Sequence, residues 1–360
     1  MKLWLLPLLL ISLIACTDNN GAKALQNYQQ RLKRVLDISQ KDTALPDAAA
    51  LAAQRDLKQP LPDLRLDLTD AYATRRCSLD TLIGERNSSL GKVYSASKQL
   101  SYELRFLSQL QRCLEQSWDD TTLLNQLQQV YQQKQLSIDI AFNNMLLTDD
   151  TLRKELLGKR EALPLKAAPG FSETWQALTE LNQLQQFIAE QNWQAASNVD
   201  IEQQLQVLYR YNTLGRLQYS LRQSSHQLSQ VNQMLTDIKP EQLCQPRPDK
   251  QQLDILANIF NKFFIAEVQQ YTVNLQSYQQ QLWPLLEALY ADTPLRDALT
   301  QRFDTTLQQM RAELAGKHLD GITRLHHPPR LTPIIHHLIG FERAGVESIG
   351  VAQRRFEGFG

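Results

Sequence analysis

Turn-forming residues are scarce in this sequence, which has only 13 glycines and 14 prolines among 360 residues. An average soluble protein of this length would carry about 43 of the two together. Glutamine, a good helix former, occurs 44 times. A chain with few turn formers and few β-branched residues does not suit the many short strands of a sandwich or barrel. We therefore expect an all-α protein, an elongated multi-helical bundle of antiparallel helical hairpins with coiled-coil-like pairs.

An excess of charge of either sign is also missing. Lysine and arginine number 38, as do aspartate and glutamate, and the net charge is zero. Since no block of basic residues occurs either, the sequence gives no electrostatic reason to expect nucleic acid as a partner. The hydrophobic fraction of 42 % is high enough to build a core and argues against disorder.

Known catalytic motifs are absent. The chain has no glycine-rich phosphate loop, C-x-x-C pair, H-E-x-x-H or G-x-S-x-G sequence. Five of the six histidines follow residue 315, but their spacing matches no pattern of metal ligands. We therefore expect no metal, no catalytic residues and no cofactor apart from a covalent lipid.

Long apolar runs are missing except at the start of the chain. Leu3 to Ala15 is an apolar run of about 13 residues, too short to span a bilayer core of about 30 Å. It ends in Leu-Ile-Ala-Cys, which looks like a bacterial lipobox with Cys16 as the acylated residue. The alternative is an ordinary secretory signal with a chance cysteine. Thr17, which is not an aspartate, favours the outer over the inner membrane. We expect a signal peptide at 1–15 and a lipid tether at 16–21.

The cysteines predict a helical hairpin. After Cys16, three remain, so three pairings are open and one cysteine is left over. The midpoint of Cys77 and Cys113 is Ser95, which can cap a helix and lies just after a glycine that can end one. A hairpin turning there places these two cysteines level, and we expect them to form the disulfide. Cys244 is then unpaired.

The same register places residues of opposite charge close to each other. It brings Glu85 level with Arg105, and Arg86 close to Glu103. Small residues at Thr81, Gly84, Ser88 and Gly91 would face Leu110, Phe106 and Tyr102, which would allow close helix packing. The candidate polar cluster comprises Glu85, Arg86, Asn87, Ser88, Lys92, Glu103 and Arg105. A structural salt-bridge network explains this cluster best, a binding cleft is the next possibility, and hydrolysis by a carboxylate pair comes last.

The hairpin carries a family resemblance. The motifs are C-S-L-D-T-L-I-G-E-R-N-S-S-L-G-K-V from Cys77 and S-K-Q-L-S-Y-E-L-R-F-L from Ser97. They resemble an uncharacterised family of gammaproteobacterial lipoproteins, domain of unknown function 3080. The likeness continues more weakly to about residue 316. It implies a fold and a compartment but no activity.

The remaining pattern divides the chain into lobes. We predict an N-terminal helical lobe at 22–157, a linker at 158–170 that contains two prolines, and a C-terminal helical lobe at 171–317. Residues 318–360 differ in composition, and we expect them to pack poorly.

Two apolar stripes in the C-terminal lobe follow coiled-coil spacing. They run from Leu214 to Ile238 and from Phe264 to Leu289. These stripes predict a long antiparallel helix pair buried within the protein, and the alternative is a seam left open for another protein. Residues 39–66 carry three prolines, so we interpret them as a broken connection with one short helix.

From the sequence we expect a non-enzymatic lipoprotein of the bacterial envelope, on the periplasmic side of the outer membrane. It would act as a helical adaptor, assembly factor or binding protein for envelope partners. The alternative is a ligand-binding protein or hydrolase that acts on envelope material through Glu85, Arg86 and Glu103.

Overall fold

Helices account for nearly all regular structure in the computed structural model. It describes residues 20–39, 41–62, 64, 68–158, 161–237 and 250–318. Within these ranges no strand forms, and a single isolated bridge joins Asn20 to Pro164. The all-α, multi-helical prediction is confirmed. The signal peptide, Cys16, Cys244 and the tail after 318 lie outside the described residues.

Seven α-helices come from the first half of the chain. They are α1 (Gly21–Val35), α2 (Gln54–Leu57), α3 (Leu68–Ala73), α4 (Leu79–Asn87), α5 (Ala96–Leu114), α6 (Thr121–Thr148) and α7 (Asp150–Leu157). Two 3₁₀ turns, η1 (Thr74–Cys77) and η2 (Gly91–Val93), flank α4.

The second half continues with α-helices and three π-helical stretches. The α-helices are α8 (Phe171–Ala189), α9 (Trp193–Ser197), α10 (Ile201–Tyr211), α11 (Thr213–Asp237), α12 (Lys250–Ile259), α13 (Gln270–Tyr290), α14 (Arg296–Thr300) and α15 (Thr306–Ala312). The π-helical stretches are π1 (Phe260–Gln269), π2 (Gln301–Thr305) and π3 (Glu313–His318). None of the described helices is long and apolar enough to cross a membrane.

Polar side chains fix where several helices begin. Asp120 caps α6 by accepting hydrogen bonds from two backbone N–H groups of its first turn, which satisfies donors that have no partner inside the helix. Asn20 caps α1 in the same way, with its side chain 2.9 Å from the N–H of Ala22. Gly21 donates its N–H to the carbonyl of Leu163. Asn20 and Gly21, which the sequence placed in the lipid tether, therefore belong to the fold.

The apolar interior forms two clusters. The larger one takes residues from α1 to α15, on both sides of the predicted 158–170 linker. The smaller one surrounds the cysteines of the α4–α5 hairpin and includes Phe106 and Leu127. The division into two lobes stays a prediction.

Helix α11 buries its predicted stripe but has an unexpected set of neighbours. The described stripe residues from Leu214 to Leu235 are all buried. Yet α11 packs mainly against α15, π3 and α1, and touches α13 less extensively. Asn232 donates to the Glu313 carboxylate at 2.6 Å and marks the contact with π3. The stripe is therefore buried inside the protein, but the expected α11–α13 pair is only a minor part of its packing.

Residues 41–62 form an extended segment, here called the strap, that contains only the short helix α2. Distant side chains hold its backbone. Arg302 donates to the carbonyl of Ala49 at 2.7 Å, and Arg153 donates to that of Ala52 at 2.7 Å. Burial, together with the nearby positive charges of Arg222 and Arg153, lowers the pKa of Arg302. The strap is thus fixed to the helical body, and it forms one wall of the site described next.

Candidate functional site

The α4–α5 hairpin forms as the cysteine spacing predicts. A disulfide joins Cys77, at the end of η1, to Cys113 near the end of α5, across 36 residues. The expected packing of small against large residues is wrong, however. Thr81, Gly84 and Ser88 are exposed, and a Cβ at Gly84 would meet nothing within 4 Å. The face of α4 next to the small residues, with Leu79 buried and Leu82 and Ile83 half-buried, packs on the smaller apolar cluster instead.

Glu85 and Arg105 pair across the hairpin, as the register predicts. Arg105 donates through both terminal nitrogens, at 2.7 and 3.1 Å, to the two carboxylate oxygens of Glu85. The Tyr94 hydroxyl donates to the same carboxylate at 2.7 Å. The hydrogen bonds from Arg105 and then Tyr94 lower the pKa of Glu85, while the bond to Glu85 raises the pKa of Tyr94. This carboxylate is held in its ionised form.

The predicted pairing of Arg86 with Glu103 does not form. Glu103 is buried and pairs with Lys134 of α6. Arg86 is half-buried, donates to the carbonyl of Gly91, and lies over the Tyr94 ring at 5.7 Å. The reason is that α6 packs along α5 and brings a lysine to Glu103 from outside the hairpin.

The other members of the predicted cluster lie at the surface around the hairpin turn, residues 88–95. Asn87, Ser88 and Lys92 are exposed. The Ser88 hydroxyl closes the turn, since it accepts from the N–H of Gly91 at 3.0 Å and donates to the carbonyl of Glu85 at 2.7 Å. Ser88 therefore has a structural role, whereas Asn87 and Lys92 are free to face a ligand.

A groove of about 1370 Å³ lies beside the hairpin and contains part of this cluster. Its walls are the strap, the hairpin turn with the first turn of α5, the side of α6, and the starts of α7 and α10. Arg86, Asn87, Lys92 and Glu103 line it, but Glu85, Ser88 and Arg105 do not. Small-molecule pockets typically measure about 300–1,000 Å³. The groove is therefore large enough for a ligand longer than a metabolite.

Two sets of hydrogen bonds join the walls of the groove to each other. Asn144 of α6 accepts from the N–H of Gln59 at 2.9 Å and donates to its carbonyl at 2.8 Å, which ties the strap to α6. Asp149 accepts from the N–H groups of Ser97 at 3.2 Å and Thr151 at 3.0 Å. One buried carboxylate thereby caps both α5 and α7. These residues hold the walls in place.

The groove has two different ends. Helix α6 lines it from Val130 to Thr148, a length of about 27 Å at the helical rise. At the Val130 end, Ile83 and Phe106 add further apolar surface from the smaller cluster. At the Thr148 end the lining comes from the first turns of α5 and α7 and is polar.

Positive charge exceeds negative charge in the groove. The lining includes the cations Arg55, Lys58, Arg86, Lys92, Lys98 and Lys134, and the acids Glu103, Asp149, Asp150 and Glu202. Six against four gives a net charge of +2, although the whole chain is neutral. Among the described residues, Lys58, Lys92 and Lys98 form no ion pair.

The arrangement suits binding better than catalysis. Glu103 is neutralised by Lys134, and Glu85 lies outside the groove and is held ionised by Arg105. A carboxylate pair for general acid and base work needs two groups that converge on one substrate position, and these two do not. In the part of the chain that the structure describes, no three His, Cys, Asp or Glu side chains come together as metal ligands would.

Sequence reasoning missed Lys134, Asn144 and Asp149. All three reach the site from α6 or the α6–α7 junction and contact partners that are 31, 85 and 52 residues away. Asp149 carried the one local signal, because an aspartate before a helical pattern is a typical N-cap. The other two positions had no local signature.

The fold and the groove define an all-α protein with a polar, walled groove and a disulfide-closed hairpin. The sequence from 25 to 325 matches the family described as "Protein of unknown function (DUF3080)", and the chain belongs to this family. No curated protein and no solved structure matches the chain.

Proposed function

We propose that this protein is a non-enzymatic lipoprotein of the bacterial envelope, anchored by a lipid on Cys16 at the periplasmic side of the outer membrane. Its role would be that of an adaptor, which holds an envelope partner in the groove between the strap and α6. The lipobox-like Leu-Ile-Ala-Cys sequence and Thr17 support the anchor and the membrane. The inner membrane is the alternative location.

The groove itself carries the adaptor proposal. It is about 1370 Å³ in volume, and its walls are fixed by Asn144 and Asp149. A preformed cleft of this kind binds a partner with little cost in conformational entropy. The hydrolase alternative is less well supported, because Glu103 is neutralised by Lys134 and Glu85 lies outside the groove.

Photocrosslinking in cells tests the proposal. A photoreactive residue in place of Asn87 faces the groove, and the same residue in place of Trp175 is a matched control, since Trp175 is 44 % exposed on α8 and does not line the groove. We expect discrete adducts with envelope proteins from position 87 and none from position 175. In the C16S background the protein should leave the membrane fraction and the adducts should weaken.

Equal adducts from both positions, or none from position 87, would contradict the adaptor role. Retention of C16S in the membrane fraction would contradict the lipid anchor. The two parts of the proposal therefore fail separately.

A further inference from the structure

The groove carries more positive than negative charge, which points to a negatively charged ligand, and this inference rests on the binding role proposed above. Arg86, Lys92 and Lys98 line the groove from the end of α4, from η2 and from the first turn of α5. Lys58 adds a further cation from the strap, and the lining acids are fewer. Electrostatic complementarity favours a negatively charged partner at such a surface.

The length of the groove favours a chain over a compact molecule. An extended peptide rises about 3.3 Å per residue, so about eight residues would cover the 27 Å between Val130 and Thr148. The amides of Asn87, Gln99 and Gln206 also line the groove. Each carries both donors and an acceptor, as the peptide groups of an extended chain require.

Apolar surface distinguishes a peptide from an acidic glycan. Ile83, Phe106 and Val130 form an apolar patch in the groove, one helical turn from Arg86 along α4, where an aliphatic or aromatic side chain would fit. In the hairpin turn, Leu90 and Val93 are 74 % and 77 % exposed. Exposed apolar residues beside a polar groove are typical of protein–protein contact.

We propose that the groove binds an extended acidic peptide segment of a partner protein. Its acidic side chains would lie against Arg86, Lys92 and Lys98, and an apolar side chain would enter the patch formed by Ile83, Phe106 and Val130. The exposed Leu90 and Val93 would contact the partner next to this segment.

Peptide binding to the full-length, lipidated protein in detergent tests this inference. The probe is a fluorescent eight-residue glutamate peptide that ends in leucine, and its binding is measured by anisotropy. We expect the K92E/K98E variant to bind it at least about tenfold more weakly, because two attractive charges become repulsive. A glutamine peptide of the same length should not bind.

A matched variant controls for net charge. K154E/K262E makes the same change in charge at two exposed lysines outside the groove, and it should bind like the wild type. Circular dichroism checks that both variants fold, which is expected since all four lysines are exposed. Replacing the terminal leucine of the probe with serine should weaken binding to the wild type but not to I83S.

Three results would overturn the inference: no binding of the glutamate peptide, equal binding of the glutamine peptide, or displacement of the glutamate peptide by an oligogalacturonate at lower concentration. The last result would assign the groove to an acidic glycan. If position 87 yields protein adducts in cells while the glutamate peptide fails to bind, the adaptor role stands and only the acidic ligand is excluded.

Discussion

Lys134 determines which charges in the groove are available to a ligand. It comes from α6 and neutralises Glu103, whose side chain is only 7 % exposed. Arg86 is then left with a backbone carbonyl as its partner and faces the groove. A buried ion pair adds little net stability compared with apolar residues, but breaking one is costly. The pair therefore sets the charge pattern of the groove more than it stabilises the fold.

We predict that K134M lowers the free energy of unfolding by about 3–5 kcal/mol, because it leaves the Glu103 carboxyl group buried without its cation. The double variant E103Q/K134M should recover most of this loss. Urea unfolding of both variants measures the effect.

The exposed pair supplies the control. Arg105 is 44 % exposed in its ion pair with Glu85. The R105A substitution should therefore lower the free energy of unfolding by no more than about 1 kcal/mol. Equal losses for K134M and R105A would show that Glu103 is not buried as described.

The two predicted ion pairs had different outcomes for a physical reason. Glu85 and Arg105 lie on helices joined by one turn, so the hairpin register alone sets their distance. Arg86 and Glu103 share that register, but Glu103 also faces α6, and the approach of a third helix is a tertiary contact that hairpin spacing does not contain. Local register predicts contacts within a pair of helices, and it fails where another element reaches the same side chain.

Close helix approach occurs in this fold, but at a different place from the one predicted. A Cβ on Gly215, in the first turn of α11, would lie 2.5 Å from the Cα of Gly158 and 2.7 Å from the carbonyl oxygen of Glu155. The start of α11 therefore packs directly on the end of α7. Glu155 is fully buried there and accepts from the N–H of Leu214 at 2.9 Å. This carboxylate accepts a hydrogen bond from a backbone N–H that has no partner within the helix and that water cannot reach.

We predict that G215A destabilises the protein by about 1–3 kcal/mol, because the added methyl group meets backbone that cannot move aside easily. G84A is the matched control. That glycine is exposed in α4 with open space around it, so alanine should stabilise the fold by about 0.5–1 kcal/mol. Chemical unfolding of both variants gives the comparison. Destabilisation by G84A would indicate that Gly84 packs closely against α5 after all.

At the element scale, periodicity predicted burial well and neighbours poorly. The stripe on α11 is buried along its described length, as expected. Apolar residues at alternating steps of three and four specify which face of a helix is apolar. They do not specify its neighbour, because α15, π3 and α13 all offer apolar faces that can cover it. The hairpin was predictable because its two cysteines and its turn are local features that agree with each other.

Across the whole molecule, long-range contacts rather than local pattern hold the parts together. The strap has almost no helix, yet Arg302 binds its backbone from 253 residues away. Buried tyrosines also join distant segments. Tyr271 donates to the carbonyl of Leu163 at 3.2 Å, and Tyr290 donates to that of Leu146 at 3.0 Å. No sequence motif marks such contacts, so the strap wall of the groove could not be predicted.

We predict that four of the 11 tyrosines ionise late in an alkaline titration. Burial raises the pKa of Tyr28, Tyr102, Tyr271 and Tyr290 above the ordinary value of about 10. The unfolded chain releases these protons at lower pH than the folded chain, so stability is retained below about pH 10 and falls as the pH rises further. Tyrosinate absorbance from these four should appear only together with loss of helical circular dichroism.

A single substitution assigns the late ionisation. Y28F should reduce the number of late-ionising tyrosines by one, because Tyr28 is 1 % exposed. Ionisation of these four tyrosines while the helices stay intact would contradict their burial.

The early start of α1 limits how far the protein can reach. Asn20 caps that helix, and Gly21 lies against the ring of Tyr271, so the folded body begins four residues after Cys16. Four residues of fully extended chain span about 14 Å. With a lipid on Cys16, as proposed, the start of α1 would stay within that distance of the bilayer surface. A partner bound in the groove would then be held at the membrane even if it has no anchor of its own.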